Sequence, residues 1–213
     1  MTAVGVPEQT IREPSEIGLR AAQKHTMRIK EDAMFWSPYE CKYFEFSEVR
    51  LIPVHARHTE RIIKWRNNPD NKRWFTSHVD IDKSGHLAWL YKQQSAGNNM
   101  NWMIESLKFG PVGMVSIYNI EHERKRAEFG RLLVGHVTDR AKGYGAMASK
   151  LAVEVAYRAG LEQLYLFVKP GNLAAIKIYK KIGFAEYDTA RDTLEMRATL
   201  ANLERIAICE SSI

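Results

Sequence analysis

Arg140-Ala141-Lys142-Gly143-Tyr144-Gly145 is the stretch on which the reading of the fold turns. It lies between an apolar run ending at Val134 and a run from Ala146 in which Met147, Leu151 and Val155 recur at helical spacing. The stretch therefore reads as a strand-to-helix turn. Two glycines one residue apart let the main chain bend tightly and approach a ligand closely. The first N–H groups of the following helix lack an intrahelical acceptor and carry the positive end of its dipole. Such a turn can seat a pyrophosphate, and Arg140 and Lys142 place positive charge beside it. Taken alone, a glycine pair after a strand is equally compatible with a plain turn. There is no GxxxxGK[ST], so no P-loop, and GYGAMA is not a GxGxxG in a first β-α unit, so no dinucleotide site.

Working outward, three strand-like runs precede the turn, at 101–106, 112–120 and 127–134. Gly110-Pro111 and the polar loop 121–126 separate them. The helix after the turn spans 146–159 and stops at Gly160, with Glu154 and Arg158 as an i,i+4 pair on its outer side. A strand at 163–168 and a helix at 173–182 follow; the helix buries Ala175, Ile178, Tyr179 and Ile182 and ends at Gly183. Two further strands surround 185–187 and 194–200. Upstream lie a strand at 49–54, a helix at 59–66 carrying Ile62, Ile63 and Trp65, and the breaker Asn67-Asn68-Pro69-Asp70. A helix at 82–94 then carries Leu87, Leu90 and Tyr91. The order is β-α-α-β-β-β-α-β-α-β-β. An antiparallel meander passes into a β-α-β unit whose strands are parallel if they share a sheet. The expected class is α/β, with one mixed sheet and helices on both faces.

Residues 1–47 differ from this pattern. Pro7, Pro14 and Pro38 interrupt them, and Phe35, Trp36, Tyr39, Tyr43, Phe44 and Phe46 crowd their end. They are expected to form an extension packed in part on a domain at 48–213. Apolar residues make up 45% of the 213 and charged residues 26%, a globular composition that excludes a disordered chain. No run approaches the ~18 apolar residues of a membrane span, and the opening stretch lacks a secretory pattern. Cys41 and Cys209, without CxxC spacing, exclude a disulfide framework and a cysteine zinc site. These features set the expectation of a cytoplasmic protein. His55-Ala56-Arg57-His58 has no third ligand nearby, so no metal is expected. The net charge of +6 favours anionic partners, but no nucleic-acid module is present, and nucleic acid is not an expected partner. The run His122-Glu123-Arg124-Lys125-Arg126 reads as a solvated loop.

Downstream of the turn, Val168-Lys169-Pro170-Gly171-Asn172 leads into Leu173 to Phe184 as VxxxNxxAxxxYxxxGF. With RxxGxG opening a helix and this second motif in order behind it, residues 50–187 resemble the GNAT superfamily of acetyl-CoA-dependent N-acetyltransferases. The resemblance implies a mostly antiparallel sheet with one splayed parallel strand pair, and acetyl-CoA as cosubstrate. It assigns Arg140, Lys142, Gly143, Tyr144, Gly145 and Ala146 to the coenzyme pyrophosphate, with Leu133, Val134 and Asn172 along the pantetheine arm. It also places Tyr179 near the thioester sulfur. A phenol is protonated at neutral pH and suits the role of acid toward a departing thiolate.

The attacking amine must lose a proton, and Glu128, on the strand feeding the turn, is the candidate base, with His136, His86 and Glu105 behind it. Acceptor specificity is expected around Arg66, Arg73, Trp74 and His86. There WRNNP, a basic-aromatic patch and HxxW resemble two branches of the superfamily. One acetylates nucleotide-linked amino sugars; the other acetylates ribosomal-protein N-termini. Flat aromatic faces for a base or sugar, and arginines for a diphosphate, favour the first. A non-catalytic CoA-binding regulatory module is the alternative from another class. The expected partners are acetyl-CoA and a small-molecule amine, with a homodimer as a candidate assembly.

Overall fold

The computed structural model describes residues 41–190 and 192–212, which fall in one compact unit. Nine strands form a single sheet: β1 (Cys41–Phe46), β2 (Val49–Pro53), β3 (Met100–Ser106), β4 (Gly110–Glu121), β5 (Arg126–Val134), β6 (Gln163–Val168), β7 (Ala185–Ala190), β8 (Thr193–Thr199) and β9 (Cys209–Ser212). Their spatial order is β7-β8-β6-β5-β4-β3-β2-β1-β9. Every neighbouring pair is antiparallel except β5 with β6. The helices are α1 (Thr59–Asn67), α2 (Pro69–Lys72), α3 (Lys83–Ala96), α4 (Val137–Arg140), α5 (Tyr144–Arg158) and α6 (Leu173–Lys181). None of them is long and apolar enough to cross a membrane.

The expected boundary at 47/48 falls inside the sheet, because β1 pairs with both β2 and β9 and buries Phe44 edge-on against Trp102. Residues 1–40, with Phe35, Trp36 and Tyr39, lie outside the described residues. The sequence reading missed both β1, whose aromatic residues lie outside the regular pattern that begins at Val49, and β9, a four-residue polar segment. The helix expected at 82–94 is bounded by local signals. Asp82 caps α3 by accepting from the Gly85 N–H at 2.6 Å, and Gly97 closes it in the left-handed region.

Leu151, Ala152, Val155 and Ala156 of α5 are fully buried against the sheet. On the other face, Ile62 and Trp65 of α1 and Leu90 of α3 form a cluster with Met103, Met114 and Leu133. Each such aliphatic side chain contributes about 1.5–3 kcal/mol on burial. Two sequence expectations need correction here. Tyr91 is exposed, so the apolar stripe of α3 is narrower than its spacing implied. Glu154 is buried, because the segment after β8 crosses over α5: its carboxylate accepts from Arg158 at 2.9 Å, from Arg205 at 2.7 Å and from the Ile206 N–H at 3.3 Å.

Two irregularities of β5 shape the space on either side of it. Its parallel pairing with β6 covers only Arg126–Glu128 against Gln163–Tyr165, so the strands part beyond that point. Between Gly130 and Leu133 the strand also bulges against β4, with Arg131 at φ +53°. One extra residue swaps the faces of everything after it. Phe129 therefore points at Tyr179 of α6, whereas Leu133 points at α1 and α3. Without the bulge both would face the same way.

Candidate active site

A cavity of about 490 Å³ opens where β5 and β6 diverge. Glu128, Gly130, Arg131 and Leu132 of β5 form one wall and Phe167 and Val168 of β6 another. Asn172 and Tyr179 close it from α6, Arg66, Trp74 and Phe75 from α1 and the segment after α2, and Asp188 and Glu195 from the β7–β8 hairpin. Five parts of the fold thus converge on one space.

Tyr179 lies 8% exposed, with its ring edge-on to Phe129 at 5.8 Å between centroids. Its hydroxyl makes no hydrogen bond among the described residues. Burial pushes its ionisation well above the ordinary tyrosine range, so it stays a proton donor. Glu128 accepts from the Tyr118 hydroxyl at 2.5 Å and from Asn119 Nδ2 at 3.0 Å. Arg131 donates to Asn101 at 2.8 Å and to Gln93 at 3.2 Å, and its guanidinium stands 3.9 Å from the Tyr118 ring centroid. A carboxylate and a phenol on one cavity can take a proton from a nucleophile and give one to a leaving group.

The turn behind the cavity has the form expected of it. Gly143 caps α5 at φ +79°, a conformation strained for any residue with a Cβ, and no side chain caps the helix. The N–H groups of Tyr144, Gly145 and Ala146 have no partner among the described residues, the first helical bond being Met147 N–H to the Gly143 carbonyl. Gly145 is packed between Val134 and Ile178, which would lie 3.5 Å and 3.6 Å from an added Cβ. Other assignments change. The Tyr144 side chain is buried on Ser106 at 3.2 Å, so only its backbone faces outward. Lys142 is paired with Asp139 at 2.8 Å, which offsets its charge. Leu133 belongs to the α1–α3 core and presents no side chain to the gap. The Arg140 side chain lies outside the described residues. Asn172 lines the cavity, but its Oδ1 caps α6 by accepting from Ala175 N–H at 3.3 Å.

The acceptor-side residues divide. Arg66 lines the cavity, half-buried, with its guanidinium 3.8 Å from the Phe75 ring centroid and no carboxylate partner among the described residues. Trp74 is there too, whereas Arg73 is exposed and stacks on Trp74 at 5.0 Å without reaching the cavity. His86 sits in an adjoining hollow of about 240 Å³ shared with Arg66 and Arg131, its Nδ1 3.1 Å from Thr59 Oγ1. Its burial and the nearby Arg66 hold it below the usual histidine range, so it is neutral. His136 is exposed and meets Trp65 edge-on at 6.5 Å. The loop 122–126 is a surface turn tied down by Glu121 and Glu162. Sequence reasoning missed Tyr118, Asn119, Arg131, Asp188 and Glu195. Only the cross-strand register Tyr118↔Glu128 brings the first of these to the base candidate.

A family model described as an acetyltransferase (GNAT) domain matches residues 48–185. Spermidine N(1)-acetyltransferase of Escherichia coli (strain K12) is 36% identical over 139 residues, covering 64% of this chain and 73% of that protein. An uncharacterised N-acetyltransferase of Methanocaldococcus jannaschii is 30% identical over 116 residues, 52% of this chain and 49% of that one. Among solved structures, Vibrio cholerae spermidine N-acetyltransferase in complex with CoA and spermine superposes with a TM-score of 0.66 at 18% identity, covering 73% of this chain and 98% of that one. Mycobacterium smegmatis RimJ in complex with CoA-disulfide gives 0.64 at 18% identity, covering 74% and 84%. These two likenesses show the fold. With the family match over most of the sheet and the splayed strand pair beside a glycine turn, the chain belongs to the GNAT superfamily of acetyl-CoA-dependent N-acetyltransferases and is an acyltransferase.

Proposed function

We propose that the chain acetylates a primary amine carried by a nucleotide-linked amino sugar, by direct attack on acetyl-CoA. The free N–H groups of Tyr144, Gly145 and Ala146 hold the coenzyme pyrophosphate, and the gap between β5 and β6 takes the pantetheine arm. Glu128 removes the proton from the acceptor ammonium. The freed nitrogen attacks the thioester carbonyl, the C–S bond breaks, and Tyr179 gives its proton to the departing sulfur; the second proton of the attacking nitrogen, lost as the amide forms, restores the phenol.

The observation that carries the acceptor reading is Arg66. A half-buried guanidinium on an aromatic face, open to the cavity and without a carboxylate among the described residues, suits an anionic group bound bidentately. Trp74 and Phe75 beside it offer flat faces to a base or sugar.

A polyamine acceptor is the second reading. It is favoured by the Escherichia coli relative and by Asp188 and Glu195 on the cavity wall, although Arg197 already pairs with Glu195 at 2.6 Å. Release of CoA from acetyl-CoA should be followed with a nucleotide-linked amino sugar, with spermidine and with a ribosomal-protein N-terminal peptide. The highest kcat/KM is expected with the sugar nucleotide; a preference for spermidine or the peptide overturns the acceptor reading. Turnover with none of the three amines, alongside tight CoA binding, also overturns it and points to a different acceptor.

A further inference from the structure

We infer that Tyr118 is a positioning residue for Glu128, holding its carboxylate in one orientation at the cavity wall, with Gly130 as the seat that allows it. The inference rests on the reading of Glu128 as the base. It is carried by three features of the two central strands.

First, both carboxylate oxygens are occupied from consecutive residues of β4. Tyr118 stands directly across the ladder from Glu128 and donates to Oε1 at 2.5 Å, while Asn119 donates to Oε2 at 3.0 Å. In a regular strand residues 118 and 119 would point to opposite faces. Asn119 has φ +52° where the β4–β5 register shifts, and this turns its amide back onto the same carboxylate. Second, the phenol reaches Glu128 by lying over a residue without a side chain. A Cβ on Gly130 would fall 2.9 Å from the Tyr118 hydroxyl and 3.1 Å from its Cε1. Third, the ring is held by Arg131, whose guanidinium sits 3.9 Å from its centroid and is itself anchored on Asn101 and Gln93.

The charged and titratable groups facing Glu128 are Tyr118 and Arg131, together with Tyr165, its register partner on β6. Across the cavity stand Arg66, Asp188 and Glu195. Burial first, and then the bond to Glu128, raises the Tyr118 ionisation well above the ordinary range, so the phenol remains a donor throughout the working pH.

A carboxylate held in one orientation meets the acceptor nitrogen in line, and without the Tyr118 hydroxyl it can turn away from it. Tyr118→Phe should lower kcat about tenfold and leave KM for acetyl-CoA unchanged. Gly130→Ala, which keeps the tyrosine but takes its seat, should lower kcat in the same way. Because Tyr118 acts through Glu128, Tyr118→Phe should cost nothing further when added to Glu128→Gln. A merely structural role would cost the same fold in both backgrounds, and that result overturns the inference. Glu128→Gln separates the two claims. If it slows turnover while Tyr118→Phe leaves kcat unchanged, the base reading stands and the inference falls. If kcat survives Glu128→Gln, both fall. Should Tyr118→Phe melt out, Gly130→Ala carries the test alone.

Discussion

Replacing Tyr179 by Phe removes one oxygen from a site where that oxygen supports nothing else. The ring keeps its edge-on contact with Phe129 at 5.8 Å and its packing on Phe184 at 6.1 Å. The hydroxyl has no hydrogen-bond partner among the described residues, so its loss strands no donor or acceptor. Folding stability should therefore change by less than about 0.5 kcal/mol. The chemical cost is larger. A positioned acid is worth about 10²–10⁴-fold, and the lower end applies because a thiol with a pKa near 8.5 is a moderate leaving group that water can also protonate. A loss of about 10²-fold in kcat corresponds to about 2.7 kcal/mol of transition-state stabilisation. Because burial drives the phenol's ionisation upward, Tyr179 should contribute no alkaline limb below about pH 10. The assay pairs steady-state CoA release across pH 6–10 with a CoA titration and a thermal melt. The expected result is kcat down about a hundredfold, CoA affinity and melting temperature unchanged. A kcat within threefold of the parent would refute the acid assignment, and a falling melting temperature would refute the claim that the hydroxyl is free for chemistry.

Other substitutions test the remaining parts of the site. Glu128→Gln should slow turnover about 10²–10³-fold and leave a rate that climbs with pH toward the acceptor's own amine pKa, roughly 8–10; an unchanged pH–rate profile would remove Glu128 from the reaction. Arg66→Ala should raise KM about tenfold or more for an anionic acceptor and leave KM for acetyl-CoA alone, and comparing the two constants checks it. Gly183 sits at φ +103°, with Leu203 Cδ2 only 2.1 Å from where a Cβ would be. Gly183→Ala should cost about 1–3 kcal/mol by chemical denaturation, without moving the acceptor KM. Glu154→Ala leaves two part-exposed arginines without their shared carboxylate. After allowance for solvent screening the loss is about 1–2 kcal/mol, and trypsin cleavage after Arg205 should quicken.

How much of this could be read in one dimension depended on the range of each interaction. Glycines and caps act within a few residues, so the α5 turn at Gly143, the closure of α3 at Gly97 and the stops at Gly160 and Gly183 were legible. So was β6, whose Leu164, Leu166 and Val168 are buried and whose limits are Gln163–Val168. The strands β1 and β9 were not, because β9, at the sheet edge, is placed only by its pairing with β1 across most of the chain. Glu154 illustrates the same limit on a helix: spacing alone gave its Arg158 partner, while its burial comes from Arg205 and Ile206, some fifty residues away.

From local chemistry alone, the chain announces a strand-to-helix phosphate turn, a tyrosine on the following helix and a carboxylate on the preceding strand. These are properties of a few neighbouring residues, and the same tendencies would hold in a short peptide. Tertiary structure decided which groups share a space. The β5 bulge swaps faces between Phe129 and Leu133, the early end of the β5–β6 ladder opens the cavity, and Tyr118 meets Glu128 through cross-strand register. It also turned Tyr144 and Leu133 into core, removed Arg73 from the cavity and left Arg66 in it without a carboxylate partner among the described residues. Such outcomes follow from packing two faces of a sheet at once, a condition that no single segment carries.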